Sequence, residues 1–495
     1  MSRPSSGRLR VALDALGSLL WPLPAIAVLV ALAAGIVLPL VDVALTDDLP
    51  SDVTTYLFGG GPAAARAVLE AIASSLVTVT SLTFSLTVIT LQLASSQFSP
   101  RLLRNFTADR TVHVVLTLFL GTFTFALTVL RTVRSGSGQQ GDFVPQISVS
   151  LAFILEIASI MGLVFFLAHL AREIRVDTVM ANVHRETTAT ISRLFPDRVD
   201  DAGNDNDDDD AGGHDGGRES TGDGGSAGGG GSAGDRGRPQ PVPESRTAIL
   251  IESVKSGFLL SIDPDDLQEA AEANNAVIRI DREPGSSIVR GTPLATAWPV
   301  ASNQPLTEQN TEALRKAVSS AATIGFERTI VQDVSFGLRQ LTDVAARALS
   351  PGVNDPTTAV HVLGHLSAIL CDLAGRKLGP HTWADHNGQI RVIVARPGFA
   401  SLLDLAIGQP RRYGIADPVV ASRIFDLLKE VAWCSSTPSL RADLADQLTR
   451  VEQQMQEQTY VPADRDHLQS LGGGVRAALQ GVWLEEAFTR DQQPR

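Results

Sequence analysis

The amino-acid sequence predicts an α-helical membrane protein: four transmembrane helices followed by a cytoplasmic α+β region, in which a small β-rich module precedes a helical domain. Three observations predict it. Four apolar stretches within the first 170 of 495 positions are each long enough for the ~20 residues that cross a ~30 Å hydrocarbon core. The Lys and Arg residues in their short flanks favour one side of the membrane over the other. Beyond an Asp- and Gly-rich stretch, apolar residues fall first into short β-like runs and then into helical periods.

Composition agrees with this division. Charged residues make up 19% of the chain, below the ~25% usual for soluble domains, and the deficit lies almost entirely in the first 170 positions. A length of 495 residues allows two or three units at roughly 150 residues each. The net charge of -13 owes much to one acidic stretch, so it describes solubility rather than an acidic face for a basic partner. No nucleic-acid partner is expected, because the basic residues are nearly all Arg, with Lys255, Lys316, Lys377 and Lys429 the only lysines. Cys371 and Cys434 are the only cysteines and make neither a disulfide framework nor a metal cluster; they are expected reduced in the cytoplasm.

Residues 1–17 form a short N-terminal segment with Arg3, Arg8 and Arg10. The first span, residues 18–41, carries no charge and exceeds the roughly 7–15 residues of a signal-peptide core, so it reads as an uncleaved helix. The second span covers about 71–94, the third 112–130 and the fourth 149–170. Arg101, Arg104 and Arg110 lie between spans two and three, and Arg172 and Arg175 follow span four. The loop between spans one and two instead has Asp42, Asp47, Asp48 and Asp52 with only Arg66. Positive residues are retained on the cytoplasmic side, so both termini are expected there, with Arg131 and Arg134 on the opposite, disfavoured side.

Apolar residues at mixed three and four spacing continue the fourth span into a membrane-exit helix over 171–196. Residues 197–243 are too polar to bury the apolar area that ordering requires, and read as a disordered acidic linker. Asp207 to Asp210 lack the spaced ligands and the glutamate of a calcium loop. The β-rich module occupies 244–300; its PGSSIVRGTPL stretch resembles the hairpins of biotinyl and lipoyl carrier domains, but no lysine stands at a hairpin tip, so no covalent cofactor is expected. From 306 to 495 the chain reads as mostly helical, its clearest helix being 332–349. In the turn that follows, Asp355 can cap a helix whose first residue is Pro356.

Several residues are candidates for function. Span two carries Ser74, Ser75, Thr78, Thr80, Ser81, Thr83, Ser85, Thr87 and Thr90. The face bearing Thr80, Thr83, Thr87 and Thr90 either lines a narrow polar path or bonds its own i-4 carbonyls and aids packing, each interhelical bond being worth about 0.6 kcal/mol. Glu156 is the only carboxylate inside a span; ionised, it costs at least ~2.5 kcal/mol, so it faces a bundle interior, with a hydroxyl of span two as the expected partner. Arg101 and Arg104 are candidate contacts to lipid phosphate or to the soluble domain, or simply set orientation. His361 and His365 stand four apart but make only half a metal site, and no metal is expected. Asp333, Arg339, Gln340, Asp343, Arg347, Asn354 and Asp355 form a polar set that reads as a ligand pocket or as a hinge or oligomer contact.

Three blocks resemble domain-of-unknown-function family 2254 of bacterial membrane proteins: SLTFSLTVITLQLASSQFSPRLLRNF at 81–106, FLAHLAREIRV at 166–176 and FERTIVQDVSFGLRQLTDVAARALSPGVNDPTTA at 326–359. The resemblance spans nearly the whole chain outside the linker and implies a bacterial inner (cytoplasmic) membrane, but no reaction, substrate or cofactor. No nucleophile, base and oxyanion set can be assembled from the polar residues, so an enzyme is not expected. The expectation is an oligomeric channel-like or transport-related protein whose cytoplasmic domain assembles or gates the spans, with the lipid bilayer and further copies of itself as partners. The alternative is a membrane-anchored regulatory or scaffold protein whose cytoplasmic domain binds a ligand or partner.

Overall fold

The computed structural model describes residues 22–45, 57–97, 109–135, 143–173, 175–197, 248–300, 305–435 and 437–484. The N-terminal segment, the loop bearing Arg101 and Arg104, and the linker from residue 198 lie outside the described residues.

Long uncharged runs make four helices: α1 (Pro22–Leu45), α2 (Pro62–Gln97), α3 (Arg110–Leu130) and α4 (Gln146–Glu173). The central helix is α3, packed against the other three. Leu69, Leu76, Phe119, Phe125, Val129 and Phe166 fill the space between them. Gly35 lets α1 close on α3, since a Cβ there would stand 2.7 Å from the Thr128 Cβ. The outward side chains are also apolar: Leu29, Val30 and Ile36 on α1, Val77 and Phe84 on α2, and Ile154, Ile160 and Phe165 on α4 are all exposed. Water would penalise such a belt by roughly 25 cal/mol per Å² of apolar surface, and hydrocarbon removes that cost.

Helix α5 (Val176–Leu194) follows almost at once. The exit helix expected over 171–196 is therefore not one continuous rod: Arg175 leaves helical geometry at φ -70, ψ 131. The turn lets Val179, Met180, Val183 and Ile191 of α5 join the core of the second region.

That second region continues with β1 (Ile249–Glu252), β2 (Gly257–Ile262), α6 (Pro264–Ala273), β3 (Ala276–Ile280), β4 (Ser287–Ile288), β5 (Pro293–Pro299), α7 (Glu308–Ala321) and β6 (Ala322–Gly325). Next come α8 (Val334–Ala348), α9 (Pro356–Ala374), β7 (His381–Ala384), β8 (Ile390–Val394), α10 (Phe399–Gly414), α11 (Pro418–Cys434), α12 (Pro438–Gln456) and α13 (Pro462–Leu479). One sheet has the order β1-β5-β3-β8-β7 and the other β4-β2-β6. Strand β8 runs parallel to β3, with Ile278 opposite Val392, so the sheet draws strands from both sides of the boundary expected near 300–306. The PGSSIVRGTPL stretch is not a hairpin either: β4 pairs with β2, whereas β5 pairs with β1 and β3.

Helices α5 and α8 to α13 share one large core, in which Leu338, Leu341, Leu363, Leu366, Leu403, Ile424 and Leu428 are buried, while α6 and α7 pack against the strands. Among the described residues five helices are long and apolar enough to cross a membrane: α1 to α4 and, within this core, α9.

Candidate functional site

The interior of the first four helices is where polar chemistry collects. At one end Asp42, near the end of α1, is buried and accepts from Ile147 N (2.8 Å), Ser148 N (3.1 Å) and Ser148 Oγ (2.7 Å), capping the start of α4 from another helix. Beside it Arg66 donates to the Val133 carbonyl at 3.1 Å, just past the end of α3. Deeper in, Ser75 of α2 donates to Glu156 Oε1 of α4 at 2.9 Å, and its Oγ also lies 2.9 Å from the Ile72 carbonyl. Next, Ser159 Oγ of α4 lies 3.4 Å from Thr122 Oγ1 of α3, with both residues buried. At the far end His169 Nε2 of α4 stands 2.6 Å from Asp109 Oδ2, and Asp109 also caps α3 through Thr111 N.

These contacts fix the relative register of α2, α3 and α4. Further along α2 and α3, Thr83, Thr87 and His113 are buried as well. From Glu156 to His169 the column rises about 20 Å. Four of its polar atoms are buried without a hydrogen-bond partner among the described residues: Glu156 Oε2, Thr83 Oγ1, Thr117 Oγ1 and His113 Nε2. Buried polar atoms are ordinarily paired, with protein or with water, so each of these four has room for a further partner.

The hydroxyl stripe thus turns inward. Thr83, Thr87 and Thr90 are buried and Thr80 is half-buried. Thr87 donates to the Thr83 carbonyl and Thr90 to the Leu86 carbonyl, each at 2.8 Å, so their protons serve their own helix. The direct partner of Glu156 is Ser75, one of the span-two hydroxyls but outside the stripe. The span-two hydroxyl expected beside Glu156 is Ser75, whereas sequence reading missed Asp42, Asp109, His113, Thr122, Ser159 and His169. The hydroxyl count of span two pointed at its wall, but no local pattern pairs positions as distant as Ser75 and Glu156.

The polar set of the second region is spread along α8 and does not form one site. Asp333 caps its start, accepting from Phe336 N at 3.0 Å and from Arg328 Nε and Nη2 at 2.8 and 2.7 Å. Burial pushes the Asp333 carboxyl up to about 6, against the pull of Arg328. The Glu283-Pro284-Gly285 turn closes over it: Gly285 has φ +91, and a Cβ there would meet Asp333 Oδ2 at 2.0 Å. Next to it the Gln332 side-chain amide accepts from Ile262 N (2.9 Å) and donates to Ile262 O (3.0 Å), extending the edge of β2. Gln340 is buried along α8, and Arg339 and Asp343 are half-buried.

Asp355 lies beyond the other end of α8, about 22 Å of helix from Asp333. It caps α9 through Thr358 N (3.0 Å) and Thr358 Oγ1 (2.5 Å), bonds that hold its carboxyl below the usual range. Asn354 before it has φ +48. The arrangement joins sheet to helices at one end and turns the chain at the other. His361 lies 3.7 Å from Asp177 of α5, and the His365 ring lies tilted against that of His184, 5.2 Å between centroids. No group of three or more His, Cys, Asp or Glu among the described residues is placed to hold a metal ion.

A family model described as predicted membrane protein (DUF2254) matches residues 18–430. Uncharacterized proteins of Mycobacterium bovis (strain ATCC BAA-935 / AF2122/97) and of Mycobacterium tuberculosis strains H37Rv and CDC 1551 are each 33% identical over 478 residues, which is 95% of this chain and 82% of theirs. No solved structure matches.

Proposed function

Because this chain belongs to the DUF2254 family of predicted membrane proteins, we propose that α1 to α4 cross the bacterial inner membrane as four spans, with both termini and the second region in the cytoplasm, and that the bundle conducts protons through its polar interior. The charge of the flanking loops supports the orientation. Helix α9, although long enough to span, is enclosed by α5, α8, α10 and α11 and serves as a core helix.

The observation that carries the proton reading is the set of polar contacts between the helices, Ser75–Glu156, Ser159–Thr122 and His169–Asp109, with Glu156 Oε2 buried and unpartnered among the described residues. An intramembrane acid in a bundle interior is a common proton carrier, and histidine is the usual shuttle near neutral pH. Ser75 supports this role. Its Oγ lies 2.9 Å from both Glu156 Oε1 and the Ile72 carbonyl, which places a hydroxyl that can donate or accept beside the carboxyl. Thr122 and Ser159 continue the relay towards the His169–Asp109 pair. The column lies inside one chain, so conduction does not require a central axis between copies. A homo-oligomer held through the cytoplasmic region is the assembly in which gating operates, and exposed Phe326, Val419 and Trp433 there support it.

The test is full-length protein in liposomes loaded with a pH-sensitive dye, under an imposed potassium diffusion potential. Proton entry is expected for the wild type and a fall towards the protein-free rate for Glu156→Gln. Wild-type entry no faster than protein-free vesicles at every potential and pH sinks the proposal.

The near-continuous join of α4 to α5 favours a second reading, a membrane-anchored regulatory protein in which α4 reports the state of the bilayer. Exchanging α1 to α4 for unrelated spans distinguishes the two: activity that survives the exchange supports anchoring and excludes conduction.

A further inference from the structure

The face where α1 meets α3 holds a groove of about 820 Å³, within the ~300–1,000 Å³ usual for ligand sites. Leu32, Ile36, Leu40 and Leu127 wall it, and Arg131 and Arg134 stand at its mouth. Those leucines and the isoleucine are exposed, so the groove opens to the surroundings of the bundle. From Leu32, mid-way along α1, to Val43 the helix rises about 16 Å, about half of a ~30 Å hydrocarbon core. The slot therefore has the depth of one leaflet.

The two arginines sit on the side of the membrane where Lys and Arg are disfavoured. Among the described residues neither guanidinium has an acidic or hydrogen-bonding partner. Their positions are nonetheless held. Arg131 closes the end of α3, and Arg134 exchanges two 3.1 Å backbone bonds with Phe143, which also lines the groove. Two guanidinium forks above an apolar slot complement an amphiphile with a phosphate head, because Arg binds phosphate through paired hydrogen bonds.

We propose that this groove binds one anionic phospholipid from the leaflet away from the cytoplasm, with its phosphate on Arg131 and Arg134 and an acyl chain along Leu32, Ile36 and Leu40. The proposal rests on the reading of α1 to α4 as spans. A helix of a second copy would cover the apolar wall yet supply no phosphate to the arginines.

The experiment is native mass spectrometry of the full chain released from nanodiscs containing equal amounts of phosphatidylglycerol and phosphatidylcholine with identical chains. The wild type is expected to retain one phosphatidylglycerol per chain with about tenfold preference, given two basic residues at the headgroup level. Arg131→Gln with Arg134→Gln abolishes the preference, and Ile36→Trp, which fills the slot and leaves the arginines in place, lowers retention of both lipids. Equal retention of the two lipids by the wild type overturns the proposal. So does an unchanged preference in both variants, or a delipidated dimer whose cross-links map to Ile36 and Leu127. Failure of the wild type to enter nanodiscs refutes the span reading itself, which separates the two failures.

Discussion

The four-helix unit and the second region both bury apolar side chains, and they differ in what they leave outside. In α1, α2 and α4 large apolar side chains face outward while Asp42, Ser75, Glu156 and His169 turn inward. In α8 to α13 the leucines turn inward, and ion pairs such as Arg423–Glu430 and Arg476–Glu452 occupy the surface. Length and apolarity alone do not separate the two regions. Helix α9 is long and apolar enough to span, as α1 is, with a mean hydropathy of 1.3 against 2.6, yet protein covers far more of α9 than of α1, which packs one face on α3 and leaves the rest exposed. What distinguishes a span is the apolar surface left over after the chain has packed.

The largest expected effect breaks this contrast directly. Leu363→Ala in α9 removes a fully buried side chain and costs about 2–5 kcal/mol, whereas Ile160→Ala on the outer face of α4 costs under about 0.5 kcal/mol in detergent. Unfolding midpoints of the two variants measure it; equal losses mean that protein, not lipid, covers α4.

A smaller effect tests the buried acid of the second region. Folded Asp333 holds its proton up to about 6 while the unfolded carboxyl releases it near 3.8, so the folded state binds more protons between these values. Its contribution is complete below the lower value and is lost as pH rises through the higher one, on the order of 2–3 kcal/mol in all. Asp333→Asn, which keeps a capping side chain, is expected to gain stability relative to wild type as pH rises from ~4 to ~6. A difference that stays flat with pH rejects this account.

Smaller still is the contact between α5 and α8. A Cβ at Gly337 would meet Thr187 Oγ1 at 2.0 Å, so Gly337→Ala costs about 1–3 kcal/mol. Combining it with Thr187→Ala returns part of that loss, and additive losses in the double-mutant cycle mean that the helices separate without strain.

Features with a local cause were legible in the sequence. The apolar runs, the isolated acid at Glu156 and the Asp355–Pro356 helix start each depend on neighbouring residues, and local chemistry predicts them. The pairing of β8 with β3 was not legible, because the two strands are separated by α7, α8 and α9 and nothing within Ile390–Val394 specifies its neighbour. For the same reason Asp42 read as a loop acid before the fold set it on the first turn of α4. The break at Arg175 escaped as well, because the apolar spacing runs on across it.

That break has a mechanical meaning. Helix α4 carries Glu156 and His169, and only residues 174 and 175 separate it from α5, whose inner face is locked into the core with α8 and α9. Two residues leave little slack. The chain therefore ties the helix that carries Glu156 to the core of the second region through a join of two residues.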